Sequence, residues 1–263
     1  MPPLSPLFHL SPADSGDAPP PLVSGEYQYA LLEDGTAEIR RYLGLGDAAD
    51  IPAALDGRRV TRIGDRAFAG CGGLRFVTIP DGVTHVGEGA FAGCVHTSQI
   101  TVPDSVAFIG PCAFEECRVL ADVHIPRGIA VLGDRTFSHC HGLSRVTVPW
   151  GVTALGEGVF RGGLHLVDVS LPDTLAVIGD RAFRSCLNLR HVVLPEGVTV
   201  LGREAFHHCG RLVSAVLPDS LAVIGEDAFA LCPGLTLTVP GDSPAEAYCK
   251  ANALAYTRAG SRR

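Results

Sequence analysis

The pattern that decides the fold is the stretch LNLRHVVLPEGVTVLGREAFHHC, residues 187–209, because its key positions recur along most of the chain. Phenylalanine returns every 23 residues without a slip, at Phe68, Phe91, Phe114, Phe137, Phe160, Phe183, Phe206 and Phe229. A fixed period of this length is typical of a solenoid, in which one supersecondary unit stacks on the next. The sequence therefore predicts eight stacked repeats over residues 57–240 that share one continuous core.

Each unit is predicted to form a strand, a turn, a short strand, a second turn and a short helical turn. In the quoted stretch, Val192 and Leu194 alternate with Val193 as a half-buried strand requires. A proline and the residues after it then form a turn. The glycine column that starts at Gly64 is interpreted as needing a backbone angle closed to other residues. The mostly acidic column that starts at Asp65 is interpreted as capping the helical turn.

Both ends of the array differ in composition from the repeats. Residues 1–24 include seven prolines and are predicted to be an extended, disordered tail. Residues 25–56 are predicted to form a β-hairpin cap around Asp34 and Gly35. Residues 241–263 are predicted to form a C-terminal cap, with a helix opened by a capping box at Ser243 and a final strand. The predicted fold class is a repeat solenoid, mostly parallel β-strands with short helical turns.

Composition and motifs limit the classes of function. The formal net charge of −7 disfavours a nucleic-acid partner, and no apolar run is long enough to insert into a membrane. The N-terminus has no basic start or cleavage site of a secretory signal, and nine cysteines fit a reducing compartment, so we predict a cytoplasmic protein. No Ser/His/Asp set, phosphate loop or dinucleotide fingerprint is found. The chain is therefore predicted not to be an enzyme and to use no cofactor.

The repeat units resemble a known family. Residues 63–94, IGDRAFAGCGGLRFVTIPDGVTHVGEGAFAGC, resemble the BspA-like branch of leucine-rich repeat proteins, and DGTAEI (34–39) and VPGDSPAEAYCKANALAY (239–256) resemble its caps. The resemblance covers roughly residues 25–258. It implies a right-handed leucine-rich repeat solenoid of mainly bacterial occurrence, often displayed on the cell surface and thought to bind proteins or host matrix. A secreted or cell-surface location is therefore the alternative to the cytoplasm.

Cysteines and histidines cluster in the repeats without forming a predicted metal site. The column Cys71, Cys94, Cys117, Cys140, Cys186, Cys209 and Cys232 keeps register with phenylalanine, with Gly163 in the one vacancy. These cysteines are interpreted as buried thiols. Cys112 and Cys249 lie off the column and are predicted to be the more reactive pair. In the His-Cys-His motif around Cys140 the histidines should face outward, so no metal is predicted.

The outward positions of the first strands should line a concave face, where repeat proteins usually bind. Asp122, Arg145, Asp168 and His191 alternate in charge there, and they are either a structural cross-strand charge ladder or a binding strip. The single tryptophan, Trp150, follows Pro149 and is either a binding hot spot or packed on a neighbouring turn. The predicted protein-binding residues are Phe76, Asp122, His124, Arg145, Trp150, Asp168, Arg190 and His191.

A second column, on the short strands, is unexpectedly apolar. The apolar ribbon, as we call it, consists of His85, Phe108, Val131, Ala154, Val177, Val200 and Val223. If it faces solvent, it is a possible interface for self-association, chiefly through Phe108, Val131, Val177, Val200 and Val223. Alternatively, the strand register turns this column inward, or the N-terminal tail with Leu7, Phe8 and Leu10 folds over it.

Three hypotheses for function follow. The first is a non-catalytic protein–protein interaction module that binds a protein or peptide through its concave strand face. The second is a secreted or cell-surface adhesin, as the resemblance implies. The third is a self-assembling structural protein that uses the apolar ribbon.

Overall fold

The phenylalanine spine, the eight residues from Phe68 to Phe229, runs through the core as one continuous stack. The computed structural model describes residues 21–259, and in it successive spine rings lie 4.9–5.7 Å apart between centroids. Tyr42 stacks on Phe68 at 5.1 Å, and Tyr248 contacts Phe229 edge-on at 6.4 Å. The spine is therefore closed at both ends by tyrosines from the caps.

The N-terminal cap is built from six strands: β1 Leu22–Ser24, β2 Tyr27–Leu31, β3 Ala37–Tyr42, β4 Ala48–Asp50, β5 Ala54–Leu55 and β6 Arg58–Ile63. β2 and β3 form an antiparallel hairpin around Asp34 and Gly35. Residues 1–20 of the predicted tail lie outside the described residues, but the prediction of disorder was wrong for 22–24, because β1 pairs antiparallel with β2. β4 pairs in parallel with the first strand at Phe76–Thr78, so stacking begins within residues 25–56, and β6, just after that range, pairs in parallel with the short strand at His85–Val86.

Each repeat adds one first strand and one short strand. In chain order these are β7 Phe76–Thr78, β8 His85–Val86, β9 Gln99–Thr101, β10 Phe108–Ile109, β11 Asp122–Val123, β12 Val131–Leu132, β13 Arg145–Thr147, β14 Ala154–Leu155, β15 Asp168–Ser170, β16 Val177–Ile178, β17 His191–Val193, β18 Val200–Leu201, β19 Ser214–Val216 and β20 Val223–Ile224. Most neighbouring strands of each kind pair in parallel at a step of 23 residues, but among the described short strands β10 and β12 are not paired. The predicted solenoid of mostly parallel strands is confirmed.

The repeat glycines are explained by crowding. The column Gly64, Gly87, Gly110, Gly133, Gly156, Gly179, Gly202 and Gly225 does not have the left-handed backbone that we predicted for it. At every member except Gly133, an added Cβ would come within 3.0 Å of the neighbouring turn, mostly of its backbone. The interpretation from backbone angle was therefore wrong, and the glycines are needed because consecutive turns approach closely.

The turn after each glycine differs from a continuous helix. Bonds such as Ala67 N to Gly64 O and Cys71 N to Phe68 O close successive turns, but left-handed residues recur at two places per repeat, as at Arg181 and Ser185. The aspartates of the acidic column bond across repeats instead of capping their own turn. Asp65 Oδ1 accepts from the backbone N–H of Glu88 at 2.8 Å, and Asp180 Oδ1 does the same for Arg203 at 2.7 Å. These carboxylates therefore tie neighbouring repeats together.

The cysteine column also joins neighbouring repeats. The thiol of Cys94 donates to Phe68 O at 3.1 Å, and that of Cys209 donates to Phe183 O at 3.2 Å. The same bond is made by Cys117, Cys140, Cys186 and Cys232. The cysteines described are free thiols. They act as small core residues that also satisfy the carbonyl groups of the spine.

The predicted reactive pair is not supported by its surroundings. Cys249 is completely buried on the C-terminal helix, and burial raises its pKa. Cys112 is half-buried, and burial together with the nearby Glu115 raises its pKa to about 11. The thiolate is the reactive form of cysteine. The prediction of reactivity was therefore wrong for Cys249, whose thiol is buried, and the raised pKa of Cys112 opposes the same prediction for that residue.

The C-terminal cap is organised around one buried carboxylate. It consists of β21 Thr236–Val239, α1 Pro244–Ala251 and β22 Ala255–Arg258, with β22 parallel to β21. Ser243 Oγ caps α1 by accepting from Glu246 N. The side chain of Glu246 is 2% exposed. It accepts from Asp242 N at 2.7 Å and pairs with Lys250 and Arg258, each at 2.9 Å. These bonds to Lys250, then to Arg258 and Asp242, lower the pKa of Glu246 to about 2.

We expect the stability of this cap to depend on acid pH through Glu246. Because its folded-state pKa of about 2 lies below the ordinary 4.5, the ionised carboxylate stabilises the fold above about pH 4.5, and this contribution is lost as the pH falls toward 2. Glu246→Gln should therefore lower the thermal midpoint at pH 7, and the gap between variant and wild type should narrow between pH 4.5 and 2. A gap that stays constant with pH, measured by circular dichroism, would contradict this assignment.

Candidate protein-binding face

The first strands do not form one continuous sheet. β4, β7, β9 and β11 form one sheet, β13 and β15 a second, and β17, β19, β21 and β22 a third. Within residues 21–259, no hydrogen-bonded ladder joins β11 to β13 or β15 to β17. The two breaks lie inside the predicted binding strip, between Asp122 and Arg145 and between Asp168 and His191.

Backbone hydrogen bonds show what is missing at the breaks. At most paired strands the N–H just beyond the first strand donates to the next repeat, as in Ile79 N to Thr101 O at 3.1 Å and Val148 N to Ser170 O at 2.9 Å; among the described residues Val102, beyond β9, is the exception. The equivalent groups at the breaks are the N–H groups of Ile125 and Leu171, and neither makes this bond in the described part of the chain. Each break therefore leaves backbone donors without a strand partner.

An aspartate stands at the same place in both broken strands. Asp122 Oδ1 accepts from the N–H of Val123 at 2.9 Å, a group that would face β13 in the regular parallel pattern. Short polar side chains compete with ladders for backbone groups in this way, and aspartate is unfavourable in strands. Asp168 holds the equivalent position in β15. We attribute the first break to Asp122, and the position of Asp168 fits the same cause at the second.

The Trp150 groove, a depression of about 730 Å³, lies at the first break. Four predicted binding residues line it: Asp122, His124, Arg145 and Trp150. The indole of Trp150 is 76% exposed, so this tryptophan does not pack into a neighbouring turn. Apolar, cationic and anionic groups therefore surround one depression.

The His191 groove, a depression of about 390 Å³, lies at the second break and is lined by Asp168, Asp173, His191 and Val193 among others. His191 Nδ1 lies 2.8 Å from Ser214 Oγ. Val193 is 63% exposed at its rim. The structure thus divides the predicted strip between two grooves. Phe76 and Arg190 line neither groove, although both are exposed.

The charged strip is not a ladder of ion pairs. No salt bridge among the described residues joins any two of Asp122, Arg145, Asp168 and His191. Only Arg145 and Asp168 lie opposite each other on paired strands. His124 pairs outside the strip, with Asp104 at 2.9 Å. The alternation of charge along this face is therefore not held by ion pairs, and both the charge-ladder and the binding interpretation stay predictions.

The sequence analysis missed Arg127, which lines the Trp150 groove. The turn column reads Asp81, Asp104, Arg127, Trp150, Asp173, Glu196 and Asp219. Its only two members that are not acidic are consecutive, and they meet at this groove. Because the acidic column is interrupted at Arg127 and Trp150, the sequence already contained a signal from which Arg127 could have been predicted.

The apolar ribbon faces outward. Its inner neighbours Val86, Ile109, Leu132, Leu155, Ile178 and Leu201 are buried. Phe108, Val131 and Val223 are about half exposed, and Val177 and Val200 are partly exposed. The alternative that the register turns this column inward was therefore wrong.

The described residues form neither a metal-binding cluster nor a membrane-spanning helix. Between residues 21 and 259, no group of three or more histidine, cysteine, aspartate or glutamate side chains is placed to hold a metal ion. In the same part of the chain, the single α-helix is too short and too polar to cross a membrane.

The chain is similar to known repeat proteins. Residues 56–166 and 154–241 match the family described as BspA type leucine rich repeat region, in six copies. A solved leucine rich repeat protein from T. pallidum is 30% identical, over 89% of this chain and 95% of that chain, with a TM-score of 0.60. A leucine rich cell surface protein from Faecalibacterium prausnitzii A2-165 is 26% identical, over 94% and 97%, with a TM-score of 0.61. Curated proteins give no significant match.

Proposed function

The chain belongs to the BspA-type leucine-rich repeat family, and from this premise we propose that it is a non-catalytic module that binds a protein or peptide at the two grooves of its strand face. Repeat proteins of this architecture offer extended preformed surfaces to partners. The observation that carries the proposal is the Trp150 groove. An exposed tryptophan, two arginines and an interrupted sheet meet there.

The chemistry of the grooves suits an extended peptide. The Trp150 groove runs along the first strands, and the side chains of Asp122, His124 and Arg145 line it. Arg127 and Arg145 make no salt bridge in the described residues, and neither do Asp122 and Asp168. Both signs of charge are therefore free to pair with a partner that carries carboxylates and basic groups in the complementary order. Trp150 supplies the large apolar contact area that is common at binding hot spots.

We expect reversal of charge at the two grooves to abolish binding without unfolding the protein. Asp122→Arg combined with Asp168→Arg should remove the partner captured from native lysate, because both side chains line the grooves. The thermal midpoint should shift little, since both residues are exposed. The matched control is Glu88→Arg combined with Glu226→Arg, which makes the same change in charge at exposed sites away from the grooves. Capture that survives in the first variant would refute the proposal.

The single tryptophan gives a direct readout of the same site. Because Trp150 is 76% exposed, a captured partner that covers it should shift its emission to the blue. Titration of that partner into wild type and into the Asp122/Asp168 variant should show the shift in wild type alone. An unchanged emission during saturable binding would place the partner elsewhere on the molecule.

A cell-surface adhesin is the second candidate. It is supported by a similar structure that is described as a leucine rich cell surface protein. The cytoplasmic location predicted from the sequence stays a prediction, and cell fractionation distinguishes the two. Recovery with the cell surface or the medium would favour an adhesin that uses the same face.

A further inference from the structure

One flank of the solenoid, beside the cysteine column, is rich in histidine and arginine. This basic flank consists of the two residues before and the two residues after each of Cys140, Gly163, Cys186 and Cys209. These positions include three arginines: Arg161, Arg184 and Arg211. They also include five of the ten histidines of the chain: His139, His141, His165, His207 and His208. Because none of these positions holds aspartate or glutamate, the flank is basic in a chain whose formal net charge is −7.

Backbone hydrogen bonds join the four repeats of the basic flank without a break. His139 N donates to Arg161 O at 2.7 Å, and the next two steps are closed by Gly162 N at 2.8 Å and Ser185 N at 2.9 Å. In the same repeats the spine rings lie 5.0–5.7 Å apart between centroids. Basic side chains at equivalent positions therefore follow one another along the solenoid axis at about this spacing, as do Arg161, Arg184 and His207.

Hydrogen bonds fix which nitrogen of two flank histidines carries the proton. His141 Nδ1 lies 2.8 Å from Gly162 O, and His165 Nδ1 lies 2.9 Å from His141 O. A carbonyl oxygen only accepts, so each Nδ1 must donate, and Nε2 is left to take up a second proton. Neither bond breaks when Nε2 is protonated. Both rings therefore become charged without losing these contacts.

The charged groups next to the basic flank leave part of its charge uncompensated. Those that lie close to it are Glu115, Glu116, Arg118, Arg181, Glu204 and Asp227. Of the carboxylates, only Glu204 forms a salt bridge with the flank in the described part of the chain, through Arg184. Arg161 and Arg211 form no salt bridge with any residue from 21 to 259. These two arginines are therefore available to an anionic partner.

The histidines add to this charge in mildly acidic solution. An unperturbed histidine has a pKa of about 6.5. Burial, and then the charge of Arg161, lowers the pKa of His139, while burial, and then the charge of Arg184, lowers the pKa of His207. These two rings therefore become charged at a lower pH than an unperturbed histidine. The positive charge of the flank thus rises in stages as the pH falls below about 6.5.

We propose that the basic flank binds an anionic polysaccharide, whose carboxylate or sulfate groups pair with its arginines and with histidines that are protonated in mildly acidic solution. A peptide fits less well, because the backbone N–H groups of these turns bond between repeats and offer no strand edge. A nucleic acid fits less well, since the flank contains no phenylalanine, tyrosine or tryptophan for bases to stack on. The flank shares no residue with the two grooves, so this binding is independent of the function proposed for them.

Binding of the full-length chain to immobilised heparin, a sulfated polysaccharide, tests the proposal. We expect the affinity, measured by surface plasmon resonance at constant ionic strength, to rise roughly tenfold between pH 7.5 and 5.5, because three additional exposed ion pairs together have an effect of that size. Neutral dextran should not bind at either pH. An affinity for heparin that does not change with pH, or no binding at all, would overturn the proposal.

Charge reversal locates the binding on the flank. Arg161→Glu combined with Arg211→Glu should lower the affinity for heparin at pH 5.5 roughly tenfold or more, because attraction is replaced by repulsion at two sites. The matched control is Arg58→Glu combined with Arg59→Glu, which makes the same change in charge at exposed sites on the N-terminal cap. It should bind heparin nearly as well as wild type. Equal losses in the two variants would show a general attraction of charge and no site on the flank.

Replacement of histidine by asparagine separates titration from structure. Asn188 holds the position equivalent to His165 one repeat later, and its Nδ2 donates to Leu164 O at 2.7 Å, so asparagine can keep the bond that His165 makes. His165→Asn combined with His208→Asn should reduce the rise in affinity from about tenfold to about twofold. The matched control, His85→Asn combined with His96→Asn, lies outside the flank and should keep the full rise.

The remaining outcomes also decide the question. Thermal midpoints at pH 5.5, measured by circular dichroism, show whether a variant has lost charge or has unfolded. If the arginine variant unfolds, the two histidine variants still test the flank, and an equal rise in both would contradict the proposal. Tighter binding of polyglutamate, single-stranded DNA or vesicles that contain phosphatidylserine would assign the flank to a different class of partner.

Discussion

Phe183→Ala should lower the free energy of unfolding by about 3–5 kcal/mol, the usual cost of removing a buried phenylalanine. Phe183 is 0% exposed, and its ring stacks on Phe160 at 5.4 Å and on Phe206 at 5.0 Å between centroids. Its loss leaves a cavity between two neighbours that are each held by their own backbone bonds, so the gap cannot collapse. Equilibrium urea unfolding followed by circular dichroism measures the change.

The control for Phe183→Ala is the same substitution at Phe76. Phe76 is 48% exposed on the strand face, so truncation there should cost less than about 1 kcal/mol. The comparison holds the chemical change constant and varies only burial. Equal losses at the two positions would mean that the phenylalanine spine is not the main source of stability in the core.

Gly202→Ala should destabilise the fold by about 3 kcal/mol or more, at the upper end of overpacking effects. The added Cβ would stand 2.5 Å from the carbonyl carbon of Gly179 and even closer to the backbone N of Asp180. Because both are backbone atoms of the preceding repeat, relief requires moving one repeat relative to the next. Such movement also strains the bond from Asp180 Oδ1 to Arg203 N.

Gly210 provides the matched control for Gly202. An added Cβ at Gly210 has no heavy atom within 4 Å, and its φ lies outside the left-handed region. Gly210→Ala should therefore be neutral or stabilise slightly by restricting the unfolded chain. Thermal midpoints of the two variants, measured side by side, decide between crowding and backbone angle. If both variants lose the same stability, crowding is not the reason for the glycine column.

Much of the architecture could be predicted because each repeat carries the same local signals. The phenylalanine period predicted stacking and the fold class, the resemblance of the repeat units and caps predicted the family, and these predictions are confirmed. Interactions between neighbouring repeats were harder to predict from the sequence. The sequence shows that glycine recurs at Gly202, but only the neighbouring backbone shows that it is there for space. In the same way, Asp65 was expected to bond within its own turn and instead bonds to Glu88.

The candidate site was predicted only in part, for a related reason. The columns of the repeat correctly placed Asp122, Arg145, Asp168 and His191 on one face of the solenoid. The sequence analysis, however, treated them as one continuous strip. A sheet break arises when one side chain takes a backbone donor from the ladder, as Asp122 does with Val123. That competition depends on a small balance of energies at one strand and leaves no period in the sequence. Arg127 was missed because its role depends on the groove that lies at the break.

The sequence by itself determined the repeat, the core and which side chains share a column, because a strict 23-residue step puts identical residues above one another. Only the tertiary structure decided where the sheet is continuous, which columns are crowded and which apolar residues stay exposed. Those properties depend on distances between neighbouring repeats. The step in sequence is the same everywhere, whereas the contacts across each step depend on the particular residues that meet there.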